Sequence, residues 1–137
     1  MLHRTIRNAA LVCGVALLLA PIGATTANAD TIVTYSGVGV GGCTIYLQYR
    51  TSDGYVRLKT VNDNEEVAAG CTSELYRKRY NDDGSVRYDW TALGAERVVG
   101  RFTTAYTGWH WNGTNAGTKG FVESHAGDAS GWTLAKW

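Results

Sequence analysis

Cys43-Thr44-Ile45-Tyr46-Leu47-Gln48-Tyr49-Arg50-Thr51-Ser52-Asp53-Gly54-Tyr55-Val56-Arg57-Leu58 has a second copy further along the chain. It starts at Cys71-Thr72-Ser73-Glu74-Leu75-Tyr76, continues to Tyr80, turns at Asn81-Asp82-Asp83-Gly84 and returns through Ser85-Val86-Arg87-Tyr88. Both copies carry Cys-Thr, a Leu four residues after the Cys, and Asp-Gly-x-Val-Arg across the turn. Asp-Gly between two β-prone runs marks a hairpin, because the tight turn needs positive φ and glycine supplies it without steric cost. The repeat therefore predicts two hairpins, each opening on a cysteine, with Asp53, Asp82 and Asp83 capping the turn backbone.

In the first hairpin Cys43, Ile45, Leu47 and Tyr49 share one face, and Val56 and Leu58 answer them on the return strand. This period-two pattern buries one side. In the second, Val86, Tyr88 and Trp90 share a face, with Val86 expected to anchor the return strand as Val56 does in the first. The outgoing strand carries Arg77-Lys78-Arg79, charge on both faces, which predicts a sheet edge or a contact surface.

Residues 1–29 read as a secretory signal peptide. His3, Arg4 and Arg7 form a basic start, Ala9 to Ala20 a short apolar run, and Ala27-Asn28-Ala29 a small-x-small cleavage site. The apolar run is too short to span a bilayer comfortably. Cleavage leaves 108 residues, 30–137, as one domain with a modest core. Eleven Lys and Arg then face twelve Asp and Glu. A domain so balanced lacks the broad basic field of a nucleic-acid or anionic-membrane binder.

Cys43 and Cys71 remain in an oxidising compartment, so a disulfide is the expected state. Closing a loop of this length stabilises by about 3 kcal/mol in the chain-entropy treatment. A zinc site would need two further ligands, and His110 and His125 do not sit at ligand spacing with the cysteines. The acidic loop Asn62-Asp63-Asn64-Glu65-Glu66 lacks the spacing of a calcium loop. Neither a metal nor a cofactor is expected.

The mature chain has no proline, and its short β-prone runs are broken by Gly, Asn and Asp. This predicts an all-β fold, a small antiparallel β-sandwich or partly closed barrel. Residues 30–42 form a Gly-rich N-terminal arm: Tyr35, Val38 and Val40 lie either on a terminal strand of the domain's own sheet or on an arm that adds to a partner's sheet edge. Thr91 to Gly94 reads as a loop and Arg97 to Tyr106 as one strand. Asn112 to Gly120 reads as a loop or turn, and Phe121 to Ser124 and Trp132 to Trp137 as the closing strands, with Gly127 to Gly131 between them.

For catalysis the chain offers Ser124, His125 and Asp128 within five residues, whereas triads converge from separate elements. No Gly-x-Ser-x-Gly elbow is present. The reading is therefore non-catalytic. Trp109 and Trp111, two apart and flanking His110, point one way if the segment is extended. Tryptophan and tyrosine contribute rigid area with a polar handle at recognition surfaces. The expected partner-binding residues are thus Tyr35, Val38, Val40, Arg77, Arg79, Trp109, His110 and Trp111. The leading function is a secreted protein-binding module. A carbohydrate-binding module using exposed tryptophans is the alternative, and it calls for several coplanar exposed rings. A protease inhibitor ranks lower, for want of proline or further disulfides to stiffen a reactive loop.

The signal ending in Ala27-Asn28-Ala29 resembles those of small secreted proteins of Gram-positive, actinobacterial origin. The mature size, the Cys43/Cys71 pair, the Gly-rich stretch Ser36 to Gly42 and the lack of a catalytic set resemble the small adaptor subunit of actinobacterial umbrella toxin particles. The resemblance covers the architecture of residues 30–137 and rests on no diagnostic motif. It implies a protein bridging a lectin-like subunit and the repeat ring of the toxin subunit, in antagonism between bacteria. It assigns no site residues.

Overall fold

The computed structural model describes residues 30–64, 69–126 and 129–137. The signal-peptide reading, Glu65 and Glu66 of the acidic loop, and Asp128 fall outside them.

The described residues form nine strands, β1 (Ile32–Val40), β2 (Cys43–Arg50), β3 (Tyr55–Asn62), β4 (Gly70–Tyr80), β5 (Val86–Val99), β6 (Thr103–Tyr106), β7 (His110–Trp111), β8 (Ala116–Ser124) and β9 (Ala129–Trp132). They build two antiparallel sheets packed face to face. Sheet 1 runs β1-β2-β3-β6, with β7 also pairing β3; sheet 2 runs β5-β4-β8-β9. The fold is a sandwich and not a closed barrel.

Each copy of the repeat supplies the heart of one sheet. The first hairpin pairs Leu47 with Leu58 and Tyr49 with Val56. Its turn places Gly54 at φ 72°, and Asp53 Oδ1 accepts the Tyr55 backbone N–H at 3.1 Å. The second turn repeats this chemistry: Gly84 has φ 81°, and Asp83 Oδ1 accepts the Ser85 N–H at 2.9 Å. Cys43, Ile45, Leu47, Val56 and Leu58 from sheet 1 meet Cys71, Leu75, Val98 and Val122 from sheet 2 in one buried cluster. The Cys43–Cys71 disulfide, with Cα atoms 5.7 Å apart, joins the two sheets at the first Cys of each copy.

Several expectations change. Of the two readings of the Gly-rich segment the first holds, a terminal strand of the domain's own sheet: it is β1, paired with β2. Gly41 and Gly42, both at positive φ (51° and 77°), form the two-residue turn between them. Thr91 to Gly94 is not a loop but part of β5, where the pairing with β4 slips between Leu75 and Tyr76. Extra residues on one strand of a pair make bulges, which bend the strand and re-aim side chains. Arg97 to Tyr106 is not one strand. β5 ends at Val99, the chain turns through Gly100 (φ 108°) and Phe102 (φ 58°), and β6 belongs to the other sheet. The Asn112 to Gly120 loop is shorter than expected, since β8 begins at Ala116, and the last strand is β9, preceding Thr133.

Two further corrections concern the second hairpin. Arg77-Lys78-Arg79 lies on β4, which is flanked on both sides by β5 and β8 and is not an edge. A central strand tolerates these charges because they lie beyond Leu75, toward the turn, where the cover from sheet 1 runs out and all three stay partly exposed. Val86 anchors nothing: it is 51% exposed, against 0% for Val56, because it sits past the end of the shared core.

Candidate functional site

At the turn end of sheet 2 the inner face opens into a groove of about 220 Å³, lined by Arg77, Arg79, Tyr88, Thr91 and Leu93. Alternation along β4 carries the inward row Cys71, Ser73, Leu75 on to Arg77 and Arg79. The hairpin register sets Thr91 opposite Arg77 and Tyr88 opposite Arg79. The slipped pairing at Leu93 turns that side chain both against the core and into the groove.

Sheet 1 contributes the rim. Arg77 Nη1 donates to the Trp111 carbonyl at 2.6 Å, and the Arg79 guanidinium lies 5.8 Å from the Trp111 ring centre. β7 holds this segment by pairing Trp111 with Tyr55 and His110 with Val56. His110 reaches inward until Nε2 abuts Gly94 of β5. Burial, and then the charge of Arg77, lower the His110 pKa below the usual histidine value and favour the neutral ring. Arg77 itself is held below the usual arginine value by burial and then by Arg79.

The structure thus brings together four of the eight expected contact residues, Arg77, Arg79, His110 and Trp111. The others lie elsewhere. Trp109 precedes β7 and is packed between the guanidiniums of Arg50 (5.0 Å) and Arg57 (4.3 Å). On β1, Val38 and Val40 are half-buried against the core and crowd Gly131 of β9. Tyr35 is exposed, with Lys136 Nζ 5.3 Å from its ring centre. Tyr88, Thr91 and Leu93 were not singled out from sequence. The Asp83-Gly84 turn was their signal, since its register places Tyr88 beside Arg79.

A second feature also escaped the sequence reading. Outside sheet 2, Phe121 and Trp132 (4.8 Å between centroids), Tyr76 and Trp132 (5.3 Å), Trp90 and Trp137 (5.9 Å), and Tyr80 and Trp137 (5.7 Å) form an aromatic strip. Lys119 Nζ lies over both Trp90 (4.3 Å) and Trp132 (4.1 Å) and links its two halves. Trp137 lies so close on Gly117 that a Cβ there would sit 2.4 Å from its ring.

The Ser124-His125 pair is used structurally. Ser124 Oγ donates to the Gly41 carbonyl at 2.6 Å, and His125 Nε2 bonds Thr72 Oγ1 at 2.8 Å across the β4–β8 pair. Asn62 and Asn64, which open the acidic loop, are buried beside the disulfide and bond each other, Asn64 N–H to Asn62 Oδ1 at 3.0 Å.

Comparison with family models, with curated proteins and with solved structures finds no match to this chain.

Proposed function

We propose that this is a secreted, non-catalytic module that binds another protein through the turn end of sheet 2. The carrying observation is the convergence there of arginine, tyrosine and tryptophan with little competing use. Tyr88 and Trp111 are each about half exposed; Tyr88 lines the groove with Arg77 and Arg79, and Trp111 meets both arginines from sheet 1. Tyr, Trp and Arg dominate the energetics of protein interfaces because they combine large area with directed polar groups. The resemblance to a toxin-particle adaptor supplies the partner class for this reading, a subunit of an extracellular antibacterial assembly.

Affinity purification of the tagged protein from native culture fluid tests it. A stoichiometric protein partner is expected with the wild type and lost in a Tyr88→Ser/Trp111→Ser variant. Recovery of the wild type alone, as a monomer, sinks the proposal.

A second reading, glycan binding, rests on the exposed Trp132 and Trp137 of the aromatic strip and ranks below the first. The strip's neighbouring rings are tilted by 44–58°, so they make no flat stacking platform, and Lys119 already covers two of them. Retention on chitin or cellulose that disappears in Trp132→Ala would favour this reading over the first.

A further inference from the structure

We propose that the groove between Arg77 and Arg79 is a receptor for a carboxylate, presented by an acidic side chain of the protein partner. This rests on the protein-binding reading and names the chemistry that the partner must offer.

Arg77 and Arg79 are two residues apart on one strand and face the same groove. Two like charges held side by side in a partly desolvated site repel, and each favours an anion between them. No such anion is supplied from within. Among the described residues the ion pairs are Arg50 with Asp30 and Asp53, and Lys78 with Asp89. A guanidinium has five N–H donors. Arg77 spends one on the Trp111 carbonyl, and the Arg79 guanidinium makes no hydrogen bond to a described residue. The remaining donors suit a bidentate grip on a carboxylate.

Size and walls select the source. The volume of about 220 Å³ corresponds to roughly seven waters at about 30 Å³ each and falls below the ~300 Å³ at which small-molecule pockets begin. It therefore takes one side chain of a larger partner rather than a whole metabolite. Leu93 and the Tyr88 ring give an apolar lining, matched to the methylenes of a glutamate and to an apolar neighbour resting on Trp111. A phosphate offers the same oxyanion but nothing for those walls.

The test is a titration of the whole secreted protein, followed by the NMR signals of the arginine Nε–H groups and the Trp111 indole N–H. The probes are the peptide acetyl-Leu-Glu-Leu-amide, its Gln counterpart, and inorganic phosphate. The Glu peptide is expected to give saturable shifts at Arg77, Arg79 and Trp111. The Gln peptide should bind at least about tenfold more weakly, the worth of one charge-assisted hydrogen bond. Arg79→Gln should lose a similar factor, and Arg101→Gln, exposed in the turn after β5, should lose nothing. If Arg79→Gln does not fold, the Glu-against-Gln comparison in the wild type decides alone. Absence of saturable shifts overturns the proposal, and so does phosphate binding as tightly as the Glu peptide, which would assign the groove to phosphate. A partner that co-purifies equally with wild type and Arg79→Gln refutes the carboxylate receptor while leaving the binding function standing.

Discussion

Replacing Gly120 by alanine probes how closely the two sheets meet. Gly120 lies on the inner face of β8, opposite Leu75 of β4. A Cβ there would sit 2.5 Å from Leu58 Cδ2 and 3.0 Å from Ile45 Cδ1. Both neighbours are fully buried, so neither has free space to turn into. Overpacking of this kind costs about 1–3 kcal/mol. Against it stands a gain of about 0.4–1 kcal/mol, because alanine narrows the unfolded ensemble where the native φ is ordinary. The clash wins, and a net loss of about 1–2 kcal/mol lowers Tm by roughly 4–16 °C for a domain of this size. The sign should reverse in a second background. Leu58→Ala alone leaves a cavity costing about 2–5 kcal/mol. In that cavity the 2.5 Å contact is gone and Ile45 Cδ1, at 3.0 Å, gains space to give way, so most of the clash is relieved and Gly120→Ala becomes neutral or stabilising. Thermal unfolding of the four proteins, followed by tryptophan fluorescence with the disulfide intact, completes the cycle. Wild-type Tm in Gly120→Ala, or the same loss in both backgrounds, refutes the packing argument.

Other outcomes follow from the same geometry. Replacing both Cys43 and Cys71 by alanine should cost about 3 kcal/mol, read as a fall in the urea midpoint. Gly54→Ala and Gly84→Ala should each cost about 1–2 kcal/mol, since both sit at positive φ with nothing within 4 Å, and strain is the whole effect; asparagine at either position should cost less. Acid should weaken the fold in two stages. The His110 pKa is lowered in the folded state, so stability falls as pH drops below about 6.5, and His110→Gln removes that stage. Asp53 is held low first by its hydrogen bond from Arg50, and Asp83 first by the Ser85 hydroxyl. Their contribution is present above the unfolded aspartate pKa and is lost as pH falls through the lower folded values, a stage that Asp53→Asn and Asp83→Asn flatten.

The two hairpins, their Asp-Gly turns and the disulfide were legible because each rests on local chemistry. Period-two burial named Ile45, Leu47, Val56 and Leu58, and Cys43 and Cys71 are the two cysteines of the described residues, at the matching start of each copy of the repeat. What failed were statements that depend on where one sheet stops covering the other. Val86 repeats the pattern of Val56 yet is exposed, since the pattern records alternation and not the extent of the opposing sheet. Thr91 to Gly94 reads as a loop because a bulged strand has lost its alternation. β1 was readable: Gly41-Gly42 between β-prone runs is itself a hairpin signal. The groove was half legible. Arg77 and Arg79 stood out by charge, but their meeting with Trp111 joins residues 34 positions apart and needed the sheet pairing to be seen.

Staple and groove sit at opposite ends of β4. Arg79 is eight residue steps along the strand from Cys71, about 26 Å at roughly 3.3 Å per step. Mechanically the sandwich is a clothes-peg: the covalent joint is the fulcrum, and leverage grows along the strand toward the mouth. Any splay of the sheets would be smallest at the sulfurs and would grow toward the place where Trp111 meets Arg77. A force applied by a partner at that mouth would act on a long arm against one fixed bond.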